Sequence, residues 1–278
     1  TCALPIWEVK ALEKAVEEAG VSIALVVVDA SSAAEAAAKA ETADEDRRFG
    51  LDGVRFLSSV ARRERWWVLP LAEMKFWRML TGTPAFDRRH EVGEIGVLSD
   101  AKFVRCQPLQ DGAWSELPPW VVDAVAQHSD VAIRFGFGLL RGDVLSAPRY
   151  GVLSFHPADV RKYRGLSTTE AFLNDDEEVG ATLQQLDDNI DAGRVVLIDS
   201  VPIDDAPTYD VLLQRVFGLQ AEMLPKGLRR LRVGDVPSEK TESLGGYTPI
   251  DNRRRLSYAS KVTARDFIAH VRDWTGHD

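Results

Sequence analysis

The sequence predicts an α/β fold, a mostly parallel sheet with helices on both faces, and three observations carry that reading. A stretch of helical periodicity leads directly into a β-branched run. From residue 103 to about 233 short apolar runs alternate with segments of helical spacing, and Gly, Pro and Asp punctuate the joins. The 278 residues, 45% hydrophobic and 28% charged, are ordinary for one large globular domain.

Thr1 to Ile6 differ in character from the rest of the chain and read as a non-native tail, so they are left out of the fold reading. Trp7, Ala11, Leu12, Ala15, Val16 and Ala19 then recur at helical spacing, with Gly20 as the stop. Val21 to Val28 has the pattern of a strand buried on both faces of a parallel sheet. A helix followed by such a strand is a βαβ unit without its first strand. Residues 31–100 form an insertion, Ala-rich and then charged, helical in its later part. Its Arg62, Arg63, Trp66, Trp67, Trp77, Arg88 and Arg89 are read as packing of the insertion in preference to stacking on a base or sugar.

Beyond it the expected order is strand Phe103–Cys106, helix Pro119–Gln127, strand Asp130–Phe135, a short helix near Leu140–Ala147 and strand Gly151–Phe155. Helix Thr168–Leu173, strand Ala181–Leu186, strand Val195–Pro202 and a helix from Thr208 come next, the last with Leu212, Val216, Leu219 and Met223 on one face. Residues 7–233 thus make the α/β domain, and 234–278 an appendage with one short helix at Ala264–Trp274.

Composition excludes several functions. No apolar run approaches the roughly 20 residues of a membrane-spanning helix. The net charge of −9 repels phosphate backbones, and the densest basic group, Arg253, Arg254 and Arg255, reads as a solvated turn, so nucleic acid is not the expected partner. Cys2 and Cys106 form no CxxC and keep no metal spacing to His90, His128, His156, His270 or His277. No metal is expected, and a reducing cytoplasm is the expected location.

The informative residues come directly after predicted strands, at the strand ends where open α/β sheets bind ligands. His156 ends one such strand, and Asp191 lies in the loop after another. A His oriented by a carboxylate is the usual general base near neutral pH, because the carboxylate fixes the tautomer and stabilises the imidazolium. Around this pair run Ser154-Phe155-His156-Pro157, Tyr163-Arg164-Gly165, Gly180-Ala181-Thr182 and Asp191-Ala192-Gly193.

In order and spacing these segments resemble the motif of the 10-formyltetrahydrofolate-dependent formyltransferase family, Asn-x-His-Pro, then Tyr-Arg-Gly, then Gly-x-Thr ahead of Asp-x-Gly. The resemblance spans roughly residues 7 to 231 and is strongest from 130 to 202. It implies a Rossmann-like sheet, 10-formyltetrahydrofolate as formyl donor, and a primary amine as acceptor. It also implies roles: His156 takes the proton of the attacking amine, and Asp191 holds and charge-stabilises His156. Ser154 stands where the family has the Asn that donates to the formyl oxygen, which puts activity in question. The folate would lie against Phe135, Gly136, Phe137, Gly138, Leu139 and Leu140, and against Asp187, Asp188, Asn189 and Ile190.

An amino sugar or similar small amine is the acceptor expected; the oligomeric state is not legible. Two alternatives stay open, hydrolysis of the formyl donor with water as acceptor, and a folate-binding module that has lost catalysis. A third reading, a dinucleotide loop at Gly136-Phe137-Gly138-Leu139-Leu140-Arg141-Gly142, is disfavoured because such fingerprints open the fold at its first strand.

Overall fold

The computed structural model describes residues 3–31, 64–82, 84–203, 208–237 and 243–275. Arg62, Arg63 and the Ala-rich part of the insertion lie outside the described residues. The α/β reading holds. The chain begins with β1 (Ala3–Pro5), α1 (Ile6–Ala19) and β2 (Leu25–Asp29), and the insertion contributes α2 (Val68–Thr81) and β3 (Arg89–Glu91). Next come β4 (Lys102–Cys106), β5 (Leu109–Asp111), β6 (Trp114–Glu116), α3 (Pro119–His128), β7 (Ala132–Arg134), β8 (Leu139–Arg141) and β9 (Val152–His156). The last group is β10 (Tyr163–Gly165), α4 (Ser167–Leu173), β11 (Glu178–Gln185), β12 (Arg194–Pro202), α5 (Tyr209–Val233), β13 (Gly246–Thr248) and α6 (Leu256–Thr275).

The local chemistry explains the well-placed elements. Helix α1 ends where Gly20 adopts φ 61°, the left-handed cap open to a residue without Cβ. Helix α3 starts with Pro119 at its first position, where the missing N–H costs nothing. Thr208 caps α5 by accepting the Val211 N–H. Helices α1 and α5 lie against each other and bury Leu12, Ala15, Leu212, Val216 and Leu224 with Leu153, Ala181 and Leu183 of the sheet in one core.

The central sheet has the order β12-β11-β9-β7. Strand β7 runs parallel to β9, whereas β11 is antiparallel to both β9 and β12, so this sheet is mixed. Strands β11 and β12 are joined by a loop of only eight residues, 186–193, too short for the crossover a parallel pair needs.

Other expectations are corrected. The strand read at Val21–Val28 starts only at Leu25, and four of its five residues are partly exposed. It pairs with β4 alone, β7 pairs with β9 alone among the described residues, and both strands border a cavity of about 1610 Å³ with Val26, Val28, Ile133 and Phe135 in its wall. The short helix expected at Leu140–Ala147 is strand β8 and then a single tight turn at Asp143–Leu145. Residues 3–5, set aside as a tail, pair antiparallel with β3.

The C-terminal part is bound into the fold more closely than a loose appendage would be. Strand β13 pairs with β10, and α6 is 20 residues long and packs on α2 and α4. Arg253 and Arg254, read as a solvated turn, pair with Glu64 at 2.6 Å and Asp251 at 2.8 Å. Trp67 is buried beside Tyr258 and Arg253, and Trp77 stacks on His270, so these two tryptophans pack the insertion against the C-terminal helix.

Candidate active site

Strand β9 lies between β7 and β11, and its alternation puts Ser154 and His156 on one face. Arg134 is the register partner of Ser154 across the parallel pair. The loop after β11 returns Asp191 to the same rim, with its backbone at φ 49°. Asp191 Oδ1 is 3.3 Å from His156 Nδ1, and its Oδ2 accepts the Gly165 N–H at 3.1 Å. His156 and Asp191, separated by 35 residues of sequence (191 − 156), are therefore in contact.

His156 is almost fully buried, and its Nε2 lies 2.9 Å from the Tyr163 carbonyl. Both ring nitrogens thus face acceptors, and neither offers a lone pair outward. Burial alone would raise the Asp191 carboxyl. The His156 hydrogen bond and charge, the Gly165 N–H and the Arg134 charge outweigh it and hold the group below the ordinary carboxylate range.

Sequence reasoning missed Arg134. Its Nε and Nη2 donate to Ser154 Oγ at 3.1 and 2.7 Å, and its Nη1 donates to the Gly138 carbonyl. Burial lowers the guanidinium pKa, with the Asp191 charge opposing, yet an arginine stays charged at any ordinary pH. A signal for it was present: Arg134 ends the run Val131-Ala132-Ile133, and a charge on so apolar a strand needs a reason.

A small cleft of about 170 Å³ opens beside this group, walled by Trp7, Glu8, Arg134, Ser154, Phe155 and Phe217. Trp7 stacks on Phe217 at 5.0 Å and meets Phe135 and Phe155 edge-on. Glu8 is the second residue the sequence reading missed. It shares the face of Leu12 and Ala15, and burial, opposed by Arg89, pushes its carboxyl up to about 8.

The expected cofactor residues divide. Phe135, Gly136, Phe137 and Leu140 border the large cavity next to the site. Phe137 and Gly138 adopt φ 66° and 63°, a conformation that costs energy at Phe137 and suits a binding loop. Leu139 is committed to β8. Asp187, Asp188, Asn189 and Ile190 form a turn in which Asp187 accepts the Asn189 N–H, and none of the four borders either cavity. Among the described residues one group of three metal-ligating side chains gathers, Glu73, Asp266 and His270 on α2 and α6, apart from these strands.

The arrangement combines a His–carboxylate pair with a fixed, half-buried cation, next to a cleft walled by aromatic rings. It can bind a planar ligand, move a proton and stabilise a developing oxyanion.

Residues 112–228 match the family described as formyl transferase. Among curated relatives, the methionyl-tRNA formyltransferase of Thermotoga sp. (strain RQ2) is 32% identical over 161 residues, 54% of this chain and 51% of that protein. That of Ehrlichia chaffeensis is 32% identical over 108 residues, 38% of this chain and 36% of that protein. The chain spans about half the length, or less, of the relatives it matches. Among solved structures, the formyltransferase PseJ from Anoxybacillus kamchatkensis, in complex with UDP-4,6-dideoxy-4-formamido-L-AltNAc and tetrahydrofolate, aligns over 60% of this chain and 89% of its own with TM-score 0.45 and 14% identity. A sugar N-formyltransferase from Shewanella sp. aligns over 83% and 78% with TM-score 0.42 and 12% identity.

Proposed function

We propose, from the match of residues 112–228 to the formyl transferase family, that the chain moves a formyl group from 10-formyltetrahydrofolate to a primary amine of a small molecule, an amino sugar or similar. The observation that carries this reading is the contact of Arg134 with buried Ser154, and of Asp191 with buried His156, at one rim of the sheet. The amine nitrogen adds to the formyl carbon, the carbonyl electrons move to oxygen, and collapse breaks the bond to the folate nitrogen, which leaves protonated. His156 takes the amine's proton once its Nε2 has exchanged the Tyr163 carbonyl for the substrate, and Asp191 stabilises the imidazolium so formed.

Arg134 answers the developing oxyanion where the family has an Asn. Serine alone has a short arm and one hydroxyl, but Ser154 holds a guanidinium that carries a full charge and spare N–H donors. Phe135 to Leu140 and the rings of Trp7 and Phe155 are suited to the folate's planar ring, with no metal involved. A cytoplasmic location accords with this donor.

Two observations favour other acceptors or none. The relatives' names favour methionyl-tRNA, against which stands the charge of −9. The double engagement of His156 favours a folate-binding module. One assay separates them. Purified protein given 10-formyltetrahydrofolate should release tetrahydrofolate in the presence of a nucleotide-linked amino sugar. Release with methionyl-tRNA only, or without any acceptor, would replace the small-amine reading by tRNA or by water. No release from a protein that binds the donor would make it a binding module.

A further inference from the structure

Helices α2 and α6 are distant in the sequence and pack together, and the contact gathers Glu73, Asp266 and His270 so that one ligand atom from each lies within 4.8 Å of the others. His270 Nδ1 is 3.5 Å from Glu73 Oε1 and 3.6 Å from Asp266 Oδ1. Ligands about 2.0–2.1 Å from a tetrahedral zinc ion stand roughly 3.3–3.4 Å apart, so these separations need only a few tenths of an ångström of adjustment. Asp266 and His270 are four residues apart on α6 and share its face.

A second observation points to a ligand. Glu73 is only 9% exposed, and neither of its carboxylate oxygens has a hydrogen-bond partner. A carboxylate taken out of water without a partner is among the least favourable groups a fold can hold. The neighbouring charges do not answer it. Arg78 is committed to Asp210 at 2.8 and 2.9 Å, Arg253 to Glu64 at 2.6 Å, and Asp266 Oδ1 accepts the Tyr209 N–H at 2.7 Å. Two carboxylates therefore share the single imidazole of His270, whose ring is held flat against Trp77 at 4.7 Å.

We propose that Glu73, Asp266 and His270 bind one divalent first-row transition ion of the zinc class, which clamps the insertion helix α2 to the C-terminal helix α6. One imidazole and two carboxylates suit such an ion better than magnesium or calcium, which prefer oxygen ligands throughout. Three protein ligands leave the fourth position to water. His270 Nδ1 also faces the Asp266 carbonyl at 3.0 Å, a hydrogen bond that the ion would replace.

The test is calorimetric titration of the full chain with Zn²⁺, with Mg²⁺ as comparison, on protein first stripped by chelator. One equivalent of Zn²⁺ should bind and raise the thermal midpoint, while Mg²⁺ does neither. Glu73→Gln and His270→Ala should each weaken binding by more than the roughly 10- to 100-fold typical of changes outside the ligand set. Glu73→Gln should also raise the midpoint of the ion-free protein while abolishing the rise with zinc. No saturable Zn²⁺ binding by the folded parent, or binding unchanged in both variants, overturns the proposal. If the variants do not fold, fluorescence quenching by Co²⁺ decides. It should be strong in the parent and largely lost in Trp77→Phe, and equal quenching in both overturns the site.

Discussion

Arg134 and Ser154 form one hydrogen-bonded unit, and the chemistry proposed for it turns on the guanidinium. Arg134→Met leaves Ser154 in place and removes the half-buried cation. Formyl-transfer kcat should fall about 10²- to 10³-fold, the usual consequence of losing an oxyanion donor, with KM for the amine little changed. Steady-state kinetics on the variant read this directly, and an unchanged kcat removes Arg134 from the mechanism. His156→Ala should abolish turnover and leave the circular dichroism spectrum unchanged. Ser154→Asn restores the family's amide but releases Arg134, so rate and donor affinity should be measured together. A gain in rate would mean that the Asn donor outperforms the arginine. The His and Asp were legible because each comes after a strand within a motif. Arg134 was not, because its role exists only through register with Ser154 on another strand.

Among the elements, the pair β10 and β13 holds the site from outside. Gly165 has φ 81°, its N–H reaches Asp191, and a Cβ there would collide with the Thr248 carbonyl. Gly165→Ala should therefore lower the urea midpoint by an amount equivalent to about 1–3 kcal/mol and reduce activity together. A variant as stable as the parent would show that β13 moves aside freely. Element types and centres were readable from periodicity for α1, α3, β9, β11 and β12. Strand β8 was misread because three residues give too little periodicity, and its pairing with β6 overrode the local pattern. Helix α6 was read at half its length because its buried residues, Ala259, Val262 and Asp266, include a carboxylate that a hydropathy pattern counts as exposed.

At the scale of the whole molecule, buried carboxyls held above the ordinary carboxylate range, Glu8, Glu73 and Asp266 among the described residues, act on the pH dependence of stability. Burial pushes Glu8 and Glu73 each up to about 8 from an ordinary 4.5, so the native state binds their protons more tightly than the unfolded chain. Their contribution is full below the unfolded pKa, declines from about pH 4.5 upward, and is lost as pH passes about 8. Asp159 and Asp191 act in the opposite sense, since their lowered values give stability that is lost as pH falls below the carboxylate range. Thermal melts in chelator should show the highest midpoint in mild acid and a decline toward pH 8. Glu8→Gln should flatten that decline, with little effect at pH 4.5 and a clear gain at pH 8, each unit of displacement being worth about 1.4 kcal/mol. A midpoint that rises steadily to pH 8 would contradict the burial of both groups.

By itself the sequence determined the α/β class, most of the helix–strand order through the central sheet, and His156 and Asp191 as a candidate pair, because periodicity and motif are properties of short stretches of chain; their contact at 3.3 Å depends on the loop after the antiparallel β11 folding back to β9. It also carried the motif that aligns residues 112–228 with formyl transferases. Only the tertiary structure decided the antiparallel course of β11, the cavity beside β2, and the partnership of Arg134 with Ser154. The same holds for the meeting of Glu73 with Asp266 and His270 across 193 residues (266 − 73). Each of these depends on which surfaces pack together, and burial, register and unanswered charge arise only after distant segments are brought into contact.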